Sequence, residues 1–147
     1  MIRPAVTADT QAVMAVVEAA YTHYIARIGK RPGPMDDDYA ARIAAGQTWV
    51  LDRDGMIAGI LVLEETADGF LLDNIAVRPK FHGQGLGRIL IAFTEAEAKR
   101  RGFTAIRLYT HALMTENIAL YTRLGFNETG RVTEKGFDRV YMEKPLQ

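Results

Sequence analysis

The sequence predicts a mixed α/β (α+β) fold in which a largely antiparallel sheet is flanked by helices. Apolar residues recur at helical spacing in four segments, and short runs rich in Val, Ile and Leu lie between them. The dipeptides Asp54-Gly55 and Lys135-Gly136 each join two such runs as a hairpin. The predicted order is β-α-α-β-β-β-α-β-α-β-β. We expect residues 1–147 to form a single domain, because a chain of this length buries a substantial core.

The segment "DTQAVMAVVEAAYTHYIARIG" predicts the first helix, which begins after Asp9 as a cap and ends at Gly29. Its apolar face comprises Val13, Val16, Val17, Ala20, Tyr21, Tyr24 and Ile28. The prolines and the glycine of "KRPGPM" then interrupt the chain. The segment "DDDYAARIAAG" predicts a short second helix, because acids suit the positive end of the helix dipole and Gly46 follows its end.

Three strands follow as a meander. The segment "TWVLDRDGMIAGILVLEE" predicts two strands joined at Asp54-Gly55, and "GFLLDNIAV" predicts a third that stops before Pro79. The segment "LGRILIAFTEAEAKRRG" predicts a helix that ends at Gly102. Its expected core face comprises Leu86, Ile89, Leu90, Phe93 and Ala96.

The C-terminal part predicts one more strand, one more helix and a hairpin. The strand is "AIRLYT", and the helix is "MTENIALYTRLGF", which ends at Gly125. The segment "NETGRVTEKGFDRVYMEK" forms the hairpin around Lys135-Gly136. Because helices and strands alternate here, we expect helical crossovers beside an antiparallel meander.

Composition and charge narrow the classes of function. Eighteen basic and eighteen acidic residues cancel, so the overall charge favours neither nucleic acid nor an anionic membrane as a partner. The absence of cysteine excludes disulfides, a thiolate nucleophile and a Cys-ligated zinc site, and we expect no metal. The N-terminal segment lacks the charge and apolar pattern of a signal peptide, and no apolar stretch spans a bilayer. We therefore expect a cytoplasmic protein.

The segment "RPKFHGQGLGRIL" carries the clearest functional signal. It places Gly83, Gly85 and Gly87 between a strand and a helix. This arrangement directs unpaired backbone N–H groups and the positive end of the helix dipole to one point, which suits a phosphate. No acid occurs in residues 74–94, where the basic residues are Arg78, Lys80 and Arg88. The alternative is a tight corner in which glycine serves only the backbone conformation.

Two common phosphate loops do not fit this segment. A Walker-type loop requires Lys and then Ser or Thr after the last glycine, but Arg88-Ile89 follow Gly87. A dinucleotide fingerprint requires a further glycine at the Arg88 position and an acid at the end of the next strand, which reads "LYTH". The pattern that fits is Gln or Arg, two residues, Gly, one residue, then Gly or Ala. By resemblance to proteins that carry this pattern, it implies a cradle for the pyrophosphate of coenzyme A.

On these residues the chain resembles the GNAT superfamily of N-acetyltransferases. The resemblance rests on the order of elements, on "LLDNIAVRPKFHGQGLGRILI" and on "ALYTRLGF", and it covers nearly the whole length. It implies a GNAT-like fold, acetyl-CoA as co-substrate and direct acetyl transfer to an amine of a small molecule or a peptide. One departure is His82, which stands where the family usually has Gln or Arg.

The resemblance also implies how the coenzyme binds. Main-chain groups of Ile75, Ala76 and Val77 would bind the pantetheine arm as an added strand, in a slot where this strand and the next one separate. Asp73-Asn74 would mark an accompanying bulge. The pyrophosphate would bind to His82, Gly83, Gln84, Gly85, Leu86, Gly87 and Arg88. We expect the side chains of Ile75 and Val77 to lie in the core.

The helix "TENIALYTRLGF" supplies the expected catalytic group. Asn117 and Tyr121 are four residues apart and share one helix face, with Met114 a turn earlier and Leu124 a turn later. Transfer from a thioester expels a thiolate, to which a tyrosine hydroxyl can donate a proton. The resemblance assigns this role to Tyr121. The family's usual coenzyme-contacting asparagine lies where this chain has Met114, and Asn117 is its expected replacement.

The acceptor amine must lose a proton before it attacks, since only the neutral nitrogen has a lone pair to use. The candidates for the base are Glu64, Glu65, Asp73, His111 and an ordered water. Strand alternation directs Glu64 and Glu65 to opposite faces, so at most one of them serves a given site. The segment "YTHYIARIGKRPGPMDDDY" lies where family members form their acceptor pocket. The candidate pocket residues are Tyr24, Arg27, Met35, Asp38, Tyr39 and Asp73.

Two alternatives from other classes stay open. A non-catalytic acyl-CoA sensor would keep the coenzyme loop without a working acceptor site. Tyr121 argues against it, unless that side chain is only a core tyrosine. A nucleotide-binding module would use the loop as a plain phosphate cradle, against which Arg88-Ile89 argue. The sequence leaves the acceptor and the oligomeric state open, a homodimer included.

Overall fold

A computed structural model describes all residues from Met1 to Gln147. The strands are β1 (Ile2–Pro4), β2 (Thr48–Arg53), β3 (Met56–Thr66), β4 (Gly69–Val77), β5 (Ala105–His111), β6 (Asn127–Glu134) and β7 (Phe137–Pro145). The helices are α1 (Thr10–Ile28), α2 (Tyr39–Ala44), α3 (Leu86–Arg100) and α4 (Thr115–Arg123). Short 3-10 turns occupy Thr7–Asp9, Gly33–Asp36 and Pro79–Phe81. The predicted order of strands and helices is therefore confirmed.

The strands form one seven-stranded sheet in the order β1-β2-β3-β4-β5-β7-β6. The pairs β1–β2, β2–β3, β5–β7 and β6–β7 are antiparallel, and β4 with β5 is parallel. The predicted hairpin turn between β2 and β3 has positive φ at both Asp54 (55°) and Gly55 (75°). These angles match the tight turn whose twist suits paired strands. The fold is thus the predicted mixed, largely antiparallel one.

The chain divides into two compact units. The first comprises residues 1–63 and 74–92, and the second comprises residues 64–73 and 93–147. Strands β3 and β4 and helix α3 each contribute residues to both units. One domain over residues 1–147 stays a prediction.

In the first unit, α1 buries the predicted face. Its buried residues are Val13, Val16, Val17, Tyr21 and Tyr24. The predicted cap at Asp9 is wrong in its chemistry, because the Asp9 side chain makes no cap bond to α1. Its carboxylate instead accepts from the Val6 N–H at 2.8 Å and from Arg3 at 2.7 and 3.0 Å. The bidentate pair with Arg3 and the bond from Val6 engage both carboxylate oxygens and draw them away from the helix.

The buried face of α3 differs from the predicted one. Leu86 and Leu90 are buried as expected, but Ile89 is 43% exposed, and Ala96 is exposed as well. The additional buried residues are Ile91, Thr94 and Ala98. Isoleucines flank Leu90 on both sides, so apolar spacing alone did not decide which of the two faces packs inward.

None of the helices is both long enough and apolar enough to cross a membrane.

In the second unit, ion pairs tie the C-terminal half of α3 to its surroundings. Glu97 binds Arg100 at 2.6 Å and Arg101 at 2.8 Å, and Arg101 also reaches Glu65 at 3.0 Å. Hydrogen bonds from Arg100, and then from Arg101, hold the pKa of the Glu97 carboxyl below its usual value. Of these pairs, Arg101–Glu65 links the C-terminal end of α3 to β3.

Candidate functional site

The connection between β4 and α3 has the backbone that its glycines predict. After the turn at Pro79–Phe81, Gly83 and Gly85 adopt positive φ angles of 80° and 77°, and α3 begins at Leu86. A Cβ built at either glycine would have no atom within 4 Å. Backbone conformation, and not crowding inside the protein, is therefore what requires glycine here. The space beside the loop is open to a ligand.

The loop presents a run of backbone N–H groups without acceptors. The His82 N–H donates to the Pro79 carbonyl at 3.1 Å, and the Ile89 N–H donates to the Gly85 carbonyl at 3.2 Å. Between them, the N–H groups of residues 83–88 donate to no backbone carbonyl. The positive end of the α3 dipole adds to these groups. Together they form a site that is suited to an anion of the size of a phosphate.

The basic side chains around the loop have different partners. Nε of Arg78 donates to the Ile57 carbonyl at 2.9 Å, which uses this guanidinium to tie the strand end to β3. Arg53, at the end of β2, donates to Oε1 of Gln84 at 3.2 Å. Arg88 is exposed in the first turn of α3. The sequence did not indicate Arg53, because no local pattern brings the end of β2 to a loop thirty-one residues later.

His82 lies with its ring against the end of β4. Its Nε2 is 3.2 Å from the Val77 carbonyl oxygen, so a proton on Nε2 would be donated there. The ring thereby holds the loop to the strand that precedes it. A contact between His82 and a pyrophosphate stays a prediction.

The end of β4 differs from the prediction in which side chains it buries. Asn74 and Ala76 are buried, at 4% and 5% exposed, whereas Ile75 and Val77 are half-buried. The expected core position of Ile75 and Val77 was therefore wrong. Buried and half-buried side chains alternate along the whole of β4. The register of the strand decides which of the two sets points inward, and the apolar pattern does not reveal that register. The bulge at Asp73-Asn74 stays a prediction.

The pairing between β4 and β5 is short. Their register covers only Phe70 with Ile106 and Leu71 with Arg107. β5 itself pairs with β7 along its full length, from Ala105 to His111. The register with β5 thus ends before the segment Ile75–Val77 that is expected to bind a pantetheine arm.

Helix α4 places Tyr121 in a packed environment. Tyr121 is 7% exposed, and its ring meets the Phe126 ring edge-on at a centroid distance of 5.7 Å. Met114 is the residue before the first turn of α4 and is buried. Its sulfur lies 3.7 Å from Nδ2 of Asn117 and 3.6 Å from the Thr110 hydroxyl. The amide of Asn117 is therefore directed toward Met114.

The candidate bases all interact with other residues of the protein. Glu65 pairs with Arg101 at 3.0 Å. Nδ1 of His111 accepts the Leu113 N–H at 3.0 Å, so that a neutral ring carries its proton on Nε2 and has no lone pair left to take another. Glu64 and Asp73 are half-buried on β3 and β4. No group of three His, Asp or Glu side chains is arranged to hold a metal ion.

Five of the six candidate acceptor residues lie in the first unit, where three of them are buried, and Asp73 belongs to the second unit. Tyr24, Met35 and Tyr39 are 4%, 9% and 3% exposed. Arg27 lies 5.1 Å from the centroid of the Tyr24 ring. Asp38 caps α2 by accepting the Ala41 N–H at 3.0 Å, which accounts for an acid at this position without any ligand.

Sequence reasoning missed a residue that joins this region to β4. Asn74 is buried, accepts from the Tyr21 hydroxyl at 2.6 Å and donates to the Tyr39 hydroxyl at 2.9 Å. The available signal was a polar residue within the apolar strand "LLDNIAV". Buried amides are hydrogen-bonded in folded proteins, so this asparagine pointed to partners on other elements.

The family follows from a comparison with known proteins. Residues 44–128 match the family model described as an acetyltransferase (GNAT) domain. This match spans more than half of the chain, and the chain belongs to the GNAT family. The resemblance stated from the sequence is thereby confirmed, together with its fold.

Several relatives of this chain are named as acetyltransferases. The [ribosomal protein bS18]-alanine N-acetyltransferase of Escherichia coli is 38% identical over 78 residues, which are 53% of this chain and 53% of that enzyme. The chain thus spans about half the length of the curated relatives it matches. The IAA acetyltransferase of Azospirillum brasilense is 33% identical over 101 residues, 66% of each chain.

Solved structures extend the similarity to the whole fold. The E. coli ribosomal-protein-S18-alanine N-acetyltransferase has a TM-score of 0.75 at 26% identity, covering 100% of this chain and 94% of that one. The PaiA N-acetyltransferase of Thermoplasma acidophilum, solved with coenzyme A, has a TM-score of 0.82 at 19% identity, covering 99% and 98%.

Proposed function

We propose that this protein is an acetyl-CoA-dependent N-acetyltransferase that moves an acetyl group directly to an amine of a small molecule or a peptide. The observation that carries the proposal is the run of N–H groups at residues 83–88, which lack backbone acceptors at the start of α3. A pyrophosphate offers acceptor oxygens and negative charge to such a group of donors. A relative in fold was solved with coenzyme A, which supports this ligand.

The coenzyme would lie along the first unit. Its pyrophosphate would bind to His82, Gly83, Gln84, Gly85, Leu86, Gly87 and Arg88. Its pantetheine amides would bind to the backbone of Ile75, Ala76 and Val77, and Asn117 would add a contact from α4. The short register between β4 and β5 supports an added-strand role for Ile75–Val77.

The reaction exchanges a C–S bond for a C–N bond and requires two proton transfers. The neutral amine attacks the thioester carbonyl, a C–N bond forms, and the C–S bond then breaks. Tyr121 would donate its hydroxyl proton to the leaving thiolate, which departs as a thiol. The proton of the amine would pass to Glu64, Glu65, Asp73, His111 or an ordered water. His111 is a weaker candidate, because its Nδ1 already accepts the Leu113 N–H.

The acceptor would be an amine of a peptide or of a small molecule. One relative is named for an alanine of a ribosomal protein and another for IAA. Among the candidate acceptor residues, the exposed Arg27 and Asp38 would offer both signs of charge to such an acceptor, and the buried Tyr24, Met35 and Tyr39 would support them.

A panel of amines, assayed for release of free thiol from acetyl-CoA, tests this function. It should include peptides with N-terminal alanine, polyamines and aminoglycosides, each compared with a reaction that lacks the amine. We expect thiol release above that background with at least one class. Tight coenzyme binding with no release from any amine would favour a non-catalytic acyl-CoA sensor instead. Equal binding of ATP and acetyl-CoA would contradict the coenzyme assignment.

A further inference from the structure

A buried chain of hydrogen bonds joins three segments of the first unit. The Tyr21 hydroxyl donates to Oδ1 of Asn74 at 2.6 Å, and Nδ2 of Asn74 donates to the Tyr39 hydroxyl at 2.9 Å. The Tyr39 hydroxyl in turn donates to the Pro34 carbonyl. All three side chains are buried. The chain links α1 and β4 to Tyr39 at the start of α2 and, through Tyr39, to the preceding 3-10 turn at Gly33–Asp36.

The Pro34 carbonyl fixes the direction of each proton in this chain. A carbonyl only accepts, so the Tyr39 hydroxyl donates its one proton there and must accept from Asn74. The nitrogen of Asn74 therefore faces Tyr39, and its oxygen faces Tyr21. The reverse orientation would set two oxygen atoms against each other without a proton between them. Only a side chain that donates at one atom and accepts at the other satisfies both hydroxyls.

Both ends of the chain reach groups of the proposed site. The Tyr21 hydroxyl also lies 3.3 Å from the carbonyl oxygen of Ile75, in the backbone that would bind the pantetheine arm. At the other end, Pro34 is followed by Met35, a candidate acceptor residue. Its N–H donates to the Pro32 carbonyl at 3.0 Å, which makes the turn compact. Because a buried polar group left without its partner is costly, a shift at either end is transmitted to the other.

We propose that Asn74 is a positioning residue, which registers the coenzyme-binding backbone of β4 with the acceptor-side turn at Gly33–Asp36. A coenzyme bound along Ile75–Val77 would hold Asn74 in place, and Asn74 would stiffen the turn through Tyr39 before the amine arrives. The inference rests on the proposed function, because it takes this backbone as the coenzyme contact. Coupling between two sites is reciprocal, so an acceptor seated on the turn would tighten coenzyme binding by the same factor.

Amide hydrogen exchange measures this coupling without knowledge of the acceptor. The probes are the amides of Met35 and Ala41, followed with and without saturating acetyl-CoA, while calorimetry reports coenzyme binding. In the wild type we expect the coenzyme to slow their exchange by at least about fivefold, the lower range of coupling between sites. Tyr39→Phe keeps the ring and removes the link to Pro34, so it should abolish the slowing while the coenzyme still binds.

Two further variants separate coupling from simple loosening. Asn74→Leu removes both links and should also abolish the slowing. Tyr141→Phe removes a hydroxyl that bonds to Glu134 in the second unit, and it should leave the slowing intact. The readout is the ratio of the amide exchange rates without and with acetyl-CoA. A variant that loosens the turn equally in both states does not change this ratio.

Each result decides the proposal. Slowing that survives in Tyr39→Phe and Asn74→Leu shows that the chain does not carry the coupling. Coenzyme binding to the wild type without any slowing overturns the positioning role and leaves the proposed function standing. Absence of coenzyme binding to the wild type overturns the proposed function, and the positioning role with it.

Discussion

The glycine loop at residues 83–88 and the turn at Gly33–Asp36 are built by opposite means. The loop presents consecutive backbone N–H groups, set by positive φ at Gly83 and Gly85. The turn is held by side chains from distant parts of the chain, since Asn74 is 35 residues from Tyr39 and 53 from Tyr21. A site made of neighbouring backbone groups is visible in a short motif. A site made of distant side chains exists only once the chain has folded.

The largest effect, on coenzyme binding, should come from a side chain added to the glycine loop at residues 83–88. Gly85→Val adds a branched side chain where the proposed pyrophosphate approaches, and we expect it to abolish coenzyme binding while the protein still folds. For the wild type, acetyl-CoA at a hundredfold excess over its dissociation constant should stabilise the protein by ~2.7 kcal/mol, and NADH or ATP by much less. Thermal unfolding with each ligand measures both effects.

The control for this variant is Gly102→Val. Gly102 also has positive φ, at 84°, and open space around a Cβ, so it carries similar backbone strain without touching the loop. Its coenzyme shift should stay intact. A Gly85→Val protein that keeps the acetyl-CoA shift would show that the loop is only a corner.

The next effect concerns a single side-chain hydroxyl. Tyr121→Phe keeps the ring against Phe126 and removes the proposed donor to the leaving sulfur, so kcat should fall by roughly ten- to a thousandfold. The lower end allows for a water that replaces the hydroxyl. Coenzyme affinity should change little. Steady-state kinetics with an acceptor from the amine panel give kcat, and calorimetry gives the coenzyme affinity. If Tyr121→Phe keeps the full kcat under conditions where chemistry is rate-limiting, Tyr121 is only a core residue.

A smaller effect, on stability, is expected from a substitution in β3, next to the proposed coenzyme-binding segment of β4. A Cβ at Gly59 of β3 would lie 3.1 Å from the Ala76 carbonyl oxygen and 3.3 Å from Cδ1 of Leu90. Gly59→Ala should therefore lower the free energy of unfolding by about 1–3 kcal/mol, as overpacking does. Gly33→Ala is the matched control, because its Cβ would meet no atom within 4 Å. Chemical denaturation measures both, and an unchanged midpoint for Gly59→Ala would show that the Ala76 carbonyl and the Leu90 side chain make room for the methyl group at no cost.

The smallest effect is a dependence of stability on pH through Asp9. A hydrogen bond from Arg3 holds the pKa of this carboxyl below its usual value of 3.8. When the pKa is lower in the folded state, the group contributes stability that is fully present above the unfolded-state pKa. This contribution is lost as the pH falls through the folded-state pKa. The stability difference between the wild type and Asp9→Asn should thus be largest near neutral pH and shrink below about pH 4. Thermal unfolding at several pH values checks this, and a constant difference would exclude the ion pair as its cause.

Local chemistry made much of the fold predictable. Asp54-Gly55 and Lys135-Gly136 set both hairpins, and Gly29 ends α1 with φ at 88°. The faces that elements bury were harder to predict. Ile89 and Ile91 both flank Leu90, and Ile75 and Val77 are only half-buried although their buried neighbours Asn74 and Ala76 are less apolar. Packing against other elements chose between these faces.

The sequence by itself determined the order of elements, the glycine loop and the GNAT family, because turn geometry and backbone exposure depend on residues that are adjacent in the chain. Tertiary structure decided the partners of side chains. Asp9 pairs with Arg3 and does not cap α1, Arg53 meets Gln84, and Asn74 joins Tyr21 to Tyr39. The physical reason is that a buried polar group must find a partner, and only the folded arrangement determines which groups lie within reach.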